Sequence, residues 1–358
     1  MRGQQSETIM TASPFDHPFL SGLLGDGEIA SYFSAEADIR AMLSFEAALA
    51  RAEAGHGLIP AEAARRITEI CAAFSPDLAS LRSATARDGV VIPELIKQLR
   101  TAVGEEAAKS LHLGATSQDV IDTSLIIRLK AVSFLFTGRL FAVTGALGKL
   151  DEQCGSNRLM GHTRMQAAIP ITVSDRLRAW RGPLDKYRDR LTQETFPLQF
   201  GGAAGTLEKL GQQAAAVRAS LAQELDLTDE PQWQNQRSGI AELAGLFSLI
   251  SGSLGKVGQD IALLAQAGDE IELAGGGGSS AMPHKQNPVA AEALVSLARF
   301  NAVQLSGIHQ SMVHEQERSG AAWTLEWLLL PPMVMATAAS LRLARELIGS
   351  VKRLGAAS

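Results

Sequence analysis

Only two cysteines occur in 358 residues, Cys71 and Cys154, and neither has CxxC or Cys/His ligand spacing. No disulfide framework or thiolate metal site is implied, and a reducing, cytoplasmic setting fits. An excess of basic charge is also missing. With 33 Lys and Arg against 38 Asp and Glu, the formal charge is −5, so the chain lacks the cationic footprint that phosphate neutralisation needs, and no nucleic-acid partner is expected. There is no run of 18 apolar residues. The longest candidate, WLLLPPMVMATAA from Trp327, is short and interrupted by two prolines, so no membrane span is expected and the run should break there. The opening MRGQQSETIM has no apolar stretch of the kind a secretion signal needs; residues 1–14 read as a disordered leader.

What is present is Ala, Leu and helical spacing. Hydrophobic residues make up 46% and charged residues 20%, which is ordinary for a soluble globular chain and unlike a disordered one. Ser34 is a suitable N-cap for AEADIRAMLSFEAALARAEA, with Gly55 and Gly57 as stop signals, and further helices start near Ala61, Ile92 and Asp119. The runs 117–150, 236–273 and 288–320 far exceed an average helix of about 11–12 residues. They predict an all-α fold with a long central bundle over 109–352, preceded by a helical domain over 15–108. Gly252, Gly255 and Gly258 should let neighbouring helices approach closely. Helices that are apolar all round must be buried, which points to an oligomer with a shared helical core. Extended segments are few: QAAIPITV from Gln166 and FPLQFGG from Phe196.

Three loops carry candidate chemistry. In LHLGATSQDVIDT, Thr116 and Ser117 stand at a strong helix start, where backbone N–H groups favour an anion; the competing reading is that Ser117 simply caps the helix. In MGHTRMQAAIP, His162, Arg164 and Gln166 alternate, so an extended segment would place an imidazole, a cation and an amide on one face. In GGGGSSAMPHKQNP, no strand leads in and GxxxxGK[ST] is absent, so a phosphate loop is excluded; the stiff, reactive residues do not suit a linker. Glycines, the hydroxyls of Ser279 and Ser280, the charge of Lys285 and the amide of Asn287 are instead parts of an oxyanion-stabilising lid.

The last of these, GSSAMPHKQNP, resembles the GSSxMPxKxNP motif of the fumarase/aspartase superfamily, and HLGATSQDVIDT, GHTRMQAAIP and FPLQFGGAAGTL are similar to its other conserved regions in the same order. HEQERSGAAWTLEW, from His314, is most similar to the muconate cycloisomerases of that superfamily. The resemblance implies a helical subunit that assembles as a homotetramer through its central helices, with active sites shared between subunits. It implies no cofactor or metal, and a small anionic di- or tricarboxylate substrate. Ser279 matches the proton-transferring serine; Lys285 and Asn287 match lid residues that hold a carboxylate. Thr116, Ser117 and Gln118 match substrate contacts, with His112 just behind them. Gln199, Ser280, Met282 and Arg318 fall in matching segments and are expected near the substrate. Trp323, Glu326 and Trp327 read as core by helical spacing, with a pocket wall as the alternative.

Two departures bear on the reaction. Lyases of the superfamily usually have Arg-Thr-His in the second region, whereas this chain has His162-Thr163-Arg164, so arginine stands where the general-acid histidine is usual. A cycloisomerase tolerates this, because the group expelled in its reverse reaction is a carboxylate with a pKa of about 4 that needs no acid. Arg164 would then orient a carboxylate, with His162 assisting. The chain also ends soon after LRLARELIGSVKRLG, so the superfamily's third, C-terminal helical domain is expected to be absent. The expected activity is lactonization of 3-carboxy-cis,cis-muconate, or of a 3-substituted analogue such as 3-sulfomuconate, in aromatic degradation. The alternatives are a fumarate-releasing lyase of the adenylosuccinate or argininosuccinate type, or a non-catalytic binding relative.

Overall fold

The computed structural model describes residues 12–278, Met282 and residues 286–356. Short helices α1 (Ser21–Leu24) and α2 (Gly27–Ser31) lead into α3 (Ala35–Gly55), α4 (Ala61–Ala73), α5 (Leu78–Asp88), α6 (Ile92–Val103) and α7 (Glu105–Ala108). The caps act as the sequence suggests: Ser34 accepts from Ala37 N–H, and Asp77 accepts from Ala79 and Ser80 N–H. Then comes α8 (Ser117–Cys154), 38 residues and therefore about 57 Å long. A hairpin of β1 (Arg158–Thr163) and β2 (Gln166–Thr172) follows, then α9 (Val173–Gln193), α10 (Ala214–Glu224) and α11 (Ser238–Ala267). The remainder is β3 (Ile271–Leu273), β4 (Gly277–Gly278), β5 (Gln286–Asn287), α12 (Val289–Gln310), α13 (Gly320–Gly349) and β6 (Val351–Leu354).

The fold is all-α in its load of structure, and the three sheets are two-stranded: β1 with β2, β3 with β6, and β4 with β5. Two apolar cores lie beneath these elements. The larger runs through α8, α9, α11, α12 and α13, with Phe136 and Phe247 meeting edge to face at 5.4 Å. The smaller is formed by α3, α4, α5 and α6 and takes in Leu198, Phe200 and α10 as well.

The helix α13 departs from expectation. Pro331 and Pro332 do not break it; they lie inside a continuous 30-residue helix. Two interior prolines cost about 6 kcal/mol together, but Leu330, Met333 and Val334 around them are at most 1% exposed, and burial of three such side chains contributes about as much. Both α11 and α13 are long and apolar enough to span a bilayer by composition, but 61% and 67% of their most apolar stretches are buried against other helices of the chain. They are core helices.

The glycines of α11 divide by function. An added Cβ at Gly258 would sit 2.6 Å from the Ala291 carbonyl oxygen and 2.9 Å from Leu294 Cβ, and one at Gly255 would sit 2.4 Å from Ala298 Cβ; all three contacts are on α12. Gly252 faces open space. Apolar side chains also remain uncovered on the long helices: Phe134 and Phe141 on α8, two turns apart on one face, Val303 on α12 and Leu328 on α13 are 66–79% exposed.

We therefore expect Gly258→Ala to lower the unfolding free energy by about 1–3 kcal/mol through overpacking, while Gly252→Ala raises it by up to about 1 kcal/mol through helix propensity. Denaturant midpoints of the two variants should move in opposite directions.

Candidate active site

The start of α8 organises the first cluster. Thr116, not Ser117, is the N-cap, and Ser117 is the first helical residue. Asp119 is fully buried and accepts four N–H bonds, from Thr116 (3.0 Å), Gly201 (2.9 Å), Gly202 (3.0 Å) and the Gln199 side chain (3.0 Å). Burial pushes its carboxyl up to about 6, and the four donors hold it back from rising further, so it is a carboxylate at neutral pH. This bond set fastens the Gly-rich turn onto the helix start. A Cβ at Gly202, whose φ is +70°, would lie 2.8 Å from the Gly114 carbonyl oxygen, so glycine is required there.

One turn further along, Asp122 anchors a second network. Arg237, 1% exposed, donates to Asp122 (2.6 and 3.1 Å) and to both oxygens of Glu326 (Nε to Oε2 2.9 Å), and its guanidinium lies 4.6 Å from the Trp233 ring centroid. Trp323 Nε1 (2.9 Å) and Gln118 Nε2 (3.1 Å) donate to Asp122 as well. Burial works against the charge on Arg237, but the two carboxylates more than offset it and raise its pKa. Above this network, Arg318 Nε donates to Gln118 Oε1 (3.0 Å) and its Nη2 reaches the Ala203 carbonyl (3.2 Å). Both imidazole nitrogens of His314 are sealed without a hydrogen-bond partner among the described residues; burial and the charge of Arg237 lower its pKa, so the ring is neutral.

The structure thus brings together Thr116, Ser117, Gln118, Gln199 and Arg318. Gln118 and Gln199 already have several bonds within the chain, Gln199 Oε1 accepting from Trp233 N–H (2.8 Å) and Gln118 Nε2 donating to the Gln234 carbonyl (2.7 Å). His112 sits behind the loop at φ +64°, its Nδ1 2.6 Å from Glu46 Oε1. The sequence reading did not single out Asp119, Asp122, Arg237 or Glu46. A signal was there: Gln118, Asp119, Asp122 and Thr123, two polar pairs separated by Val120 and Ile121, are all 0% exposed at the head of an apolar helix.

The second region is not the extended row expected. Thr163 pairs with Gln166 across a two-residue turn, so Arg164 and Met165 form its tip, and His162 pairs with Ala167. Cross-strand partners share a face, which puts His162 and Gln166 on opposite faces. The physical reason is the turn itself: Arg164 and Met165 both adopt positive φ, +48° and +66°, the geometry of the tight turn that matches strand twist. The hairpin tip is exposed, His162 bonds only locally to the Met160 carbonyl (3.1 Å) and Gln166 Nε2 donates to the Met165 carbonyl (3.1 Å). Nothing in the described subunit links these residues to the cluster at α8.

In the third region, Ser279, Ser280 and Lys285 lie outside the described residues. The flanks are described: Gly277 pairs with Asn287 and Gly278 with Gln286, and a Cβ at Gly277 would lie 2.5 Å from Val289 Cγ2. Met282 is 42% exposed.

Removing Arg237 would leave Asp122 and Glu326 buried without their counter-charge. Arg237→Ala should destabilise the protein by about 3–5 kcal/mol, and Arg237→Lys by an intermediate amount because an ammonium does not bridge two carboxylates as a planar fork does; urea unfolding of both variants checks the ranking.

The model of a lyase family matches residues 27–302. A 3-carboxy-cis,cis-muconate cycloisomerase of Pseudomonas aeruginosa is 40% identical over 321 residues, 87% of this chain and 70% of that protein. An N-acetyl-S-(2-succino)cysteine lyase of Enterococcus italicus is 32% identical, over 90% and 73%. Among solved structures, the 3-carboxy-cis,cis-muconate lactonizing enzyme of Pseudomonas putida superposes with a TM-score of 0.88 at 36% identity, covering 94% of this chain and 77% of that one.

Proposed function

As the chain belongs to this lyase family, of the fumarase/aspartase type, we propose that it is a cofactor-free cycloisomerase that converts 3-carboxy-cis,cis-muconate, or a 3-substituted anionic analogue, to the corresponding muconolactone. The observation that carries this reading over a lyase is Arg164 at the exposed tip of the hairpin. In the forward direction, one carboxylate oxygen adds to a conjugated double bond, the electron pair passes into an aci-carboxylate, and the carbon alpha to that carboxylate takes a proton. A new C–O and a new C–H bond replace one C=C, and nothing is oxidised or reduced. Ser279 supplies the proton and is reprotonated from solvent. Lys285 and Asn287 stabilise the aci-carboxylate, and Thr116, Ser117 and Arg318 hold a second carboxylate at the start of α8. Arg164 orients the attacking carboxylate, assisted by His162. In reverse, that carboxylate leaves without an acid.

The reading includes a cytoplasmic homotetramer with sites shared between subunits. The uncovered Phe134, Phe141, Val303 and Leu328 support a partner along the long helices, and the outlying hairpin supports donation of Arg164 and His162 to another subunit's site. A fumarate-releasing lyase is the second reading, favoured by the exposed His162 and by the 32% identical succinocysteine lyase.

Three measurements test these readings. Purified enzyme should remove the diene absorbance of 3-carboxymuconate; comparison with muconate and 3-sulfomuconate fixes the 3-substituent, and fumarate release from a succinyl substrate would replace the cycloisomerase by the lyase. Ser279→Ala should lower kcat by about 10²–10⁴-fold with the assembly intact. Arg164→Ala and Ser279→Ala subunits, each inactive alone, should regain activity when unfolded and reassembled together; if mixing restores nothing, the sites are not shared.

A further inference from the structure

Helix α3 carries two acidic residues into the smaller core. Glu46 and Glu53 are seven residues apart and so lie on one face, at 1% and 0% exposure. Glu46 Oε2 and both oxygens of Glu53 are sealed and have no hydrogen-bond partner among the described residues. Burial, with the charge of Glu46 added, pushes Glu53 up to about 9, so Glu53 keeps its proton. The same burial and the same Glu46 charge push the neighbouring Cys71 thiol up to about 12, against the pull of Arg51; Arg51 itself is engaged by Glu224 (2.8 Å). The partner left for Glu46 is His112, whose Nδ1 lies 2.6 Å away, the two side chains being 15% and 0% exposed.

His112 belongs to the loop that ends at the Thr116 cap, and its backbone is held at φ +64°. A side-chain-bearing residue keeps that conformation only where its surroundings over-determine it, and the Glu46 bond is one tie on that residue. Its Nε2 makes no hydrogen bond among the described residues and is not among the sealed atoms. The charged groups facing the ring are Glu46 on α3, Asp119 on α8 and Arg100 on α6. Burial lowers its affinity for a proton, but Glu46, by charge and hydrogen bond, and Asp119 outweigh burial and Arg100, so the net direction is upward.

We propose that Glu46 is a positioning residue that holds His112 as an imidazolium through Nδ1–H, so that Nε2–H is a fixed cation behind the Thr116–Ser117 helix start for a substrate carboxylate. The carboxylate part of this inference rests on the proposed cycloisomerase reading; the ion pair does not. Because the folded pKa is raised, the cation is present below the ordinary histidine range and persists above it, and is lost as pH rises through the folded value. Substrate binding should weaken over that same interval.

The seven histidines make a direct test practical. With 13C-labelled histidine in the intact enzyme, and His112→Gln to assign the signal, His112 should titrate above the ordinary value of about 6.5. Glu46→Gln should move it down, raise KM for 3-carboxymuconate about tenfold at pH 7.5 and change kcat far less. Glu53→Gln should leave both the His112 titration and KM near wild type. A His112 that is neutral at pH 7 in the wild type, or a titration that Glu46→Gln does not move, overturns the pairing. If the titration shifts while KM does not, the pairing stands and its role toward substrate falls. If no muconate is turned over by the wild type, the proposed reaction fails and the titration still judges the ion pair by itself.

Discussion

One guanidinium, sealed between two carboxylates, ties together the N-terminal parts of three long helices. Arg237 precedes α11, Asp122 belongs to α8 and Glu326 to α13, so a single side chain fixes the relative positions of three long helices. A buried ion pair is not in itself a strong source of stability, because desolvation consumes most of what attraction returns. Its value here is geometric. A planar fork accepts only one arrangement of two carboxylates, and Trp233 beneath it and Trp323 beside it leave no room for another. With Asp122 held, the head of α8 has a fixed orientation. Asp119 then collects the Gly201–Gly202 turn, and Gln118 collects Arg318. The cluster at the start of α8 is the outer layer of this buried polar core, so its loop is placed by helices rather than by its own stiffness.

Much of the fold was readable because its determinants are local. Ser34 caps α3, Gly55 ends it, and the three long runs hold α8, α11 and α12, although the second and third end at Ala267 and Gln310, short of the expected 273 and 320, and α13 was not among them. The prolines at 331 and 332 misled, since the proline rule concerns an isolated helix and α13 is held by packing on both sides of the pair. The polar network was missed for a different reason. Asp122, Arg237 and Glu326 are separated by 115 and 89 residues, and sequence spacing carries no sign that they meet. What it does carry is a group of polar or acidic positions, Gln118, Asp119, Asp122 and Thr123, at the head of an otherwise apolar helix, the mark of partners elsewhere in the chain.

The hairpin shows the same limit at shorter range. Alternation of His162, Arg164 and Gln166 suggested one extended face, but period-two reasoning assumes that the strand continues. A turn of two residues reverses it between Thr163 and Gln166, and that turn has none of the Asn-Gly or Gly-Gly signals that announce one. The turn is built from Arg and Met at positive φ, at a cost of about 1–2 kcal/mol per residue relative to glycine.

That cost bears on the chemistry. Glycine at the tip would relieve the strain and keep the hairpin, and under the proposed reaction what it would forfeit is the guanidinium of Arg164. A guanidinium stands at the apex of an exposed ribbon, and its fork suits a carboxylate in a plane. Under the proposed reaction, the carboxylate that closes the lactone must be held against a face of the diene while it attacks, and must be able to leave without a proton in reverse. A histidine at the tip would offer an acid that such a leaving group does not need. An arginine offers orientation and charge without titrating, which is the requirement of a ring closure in which the nucleophile is already ionised.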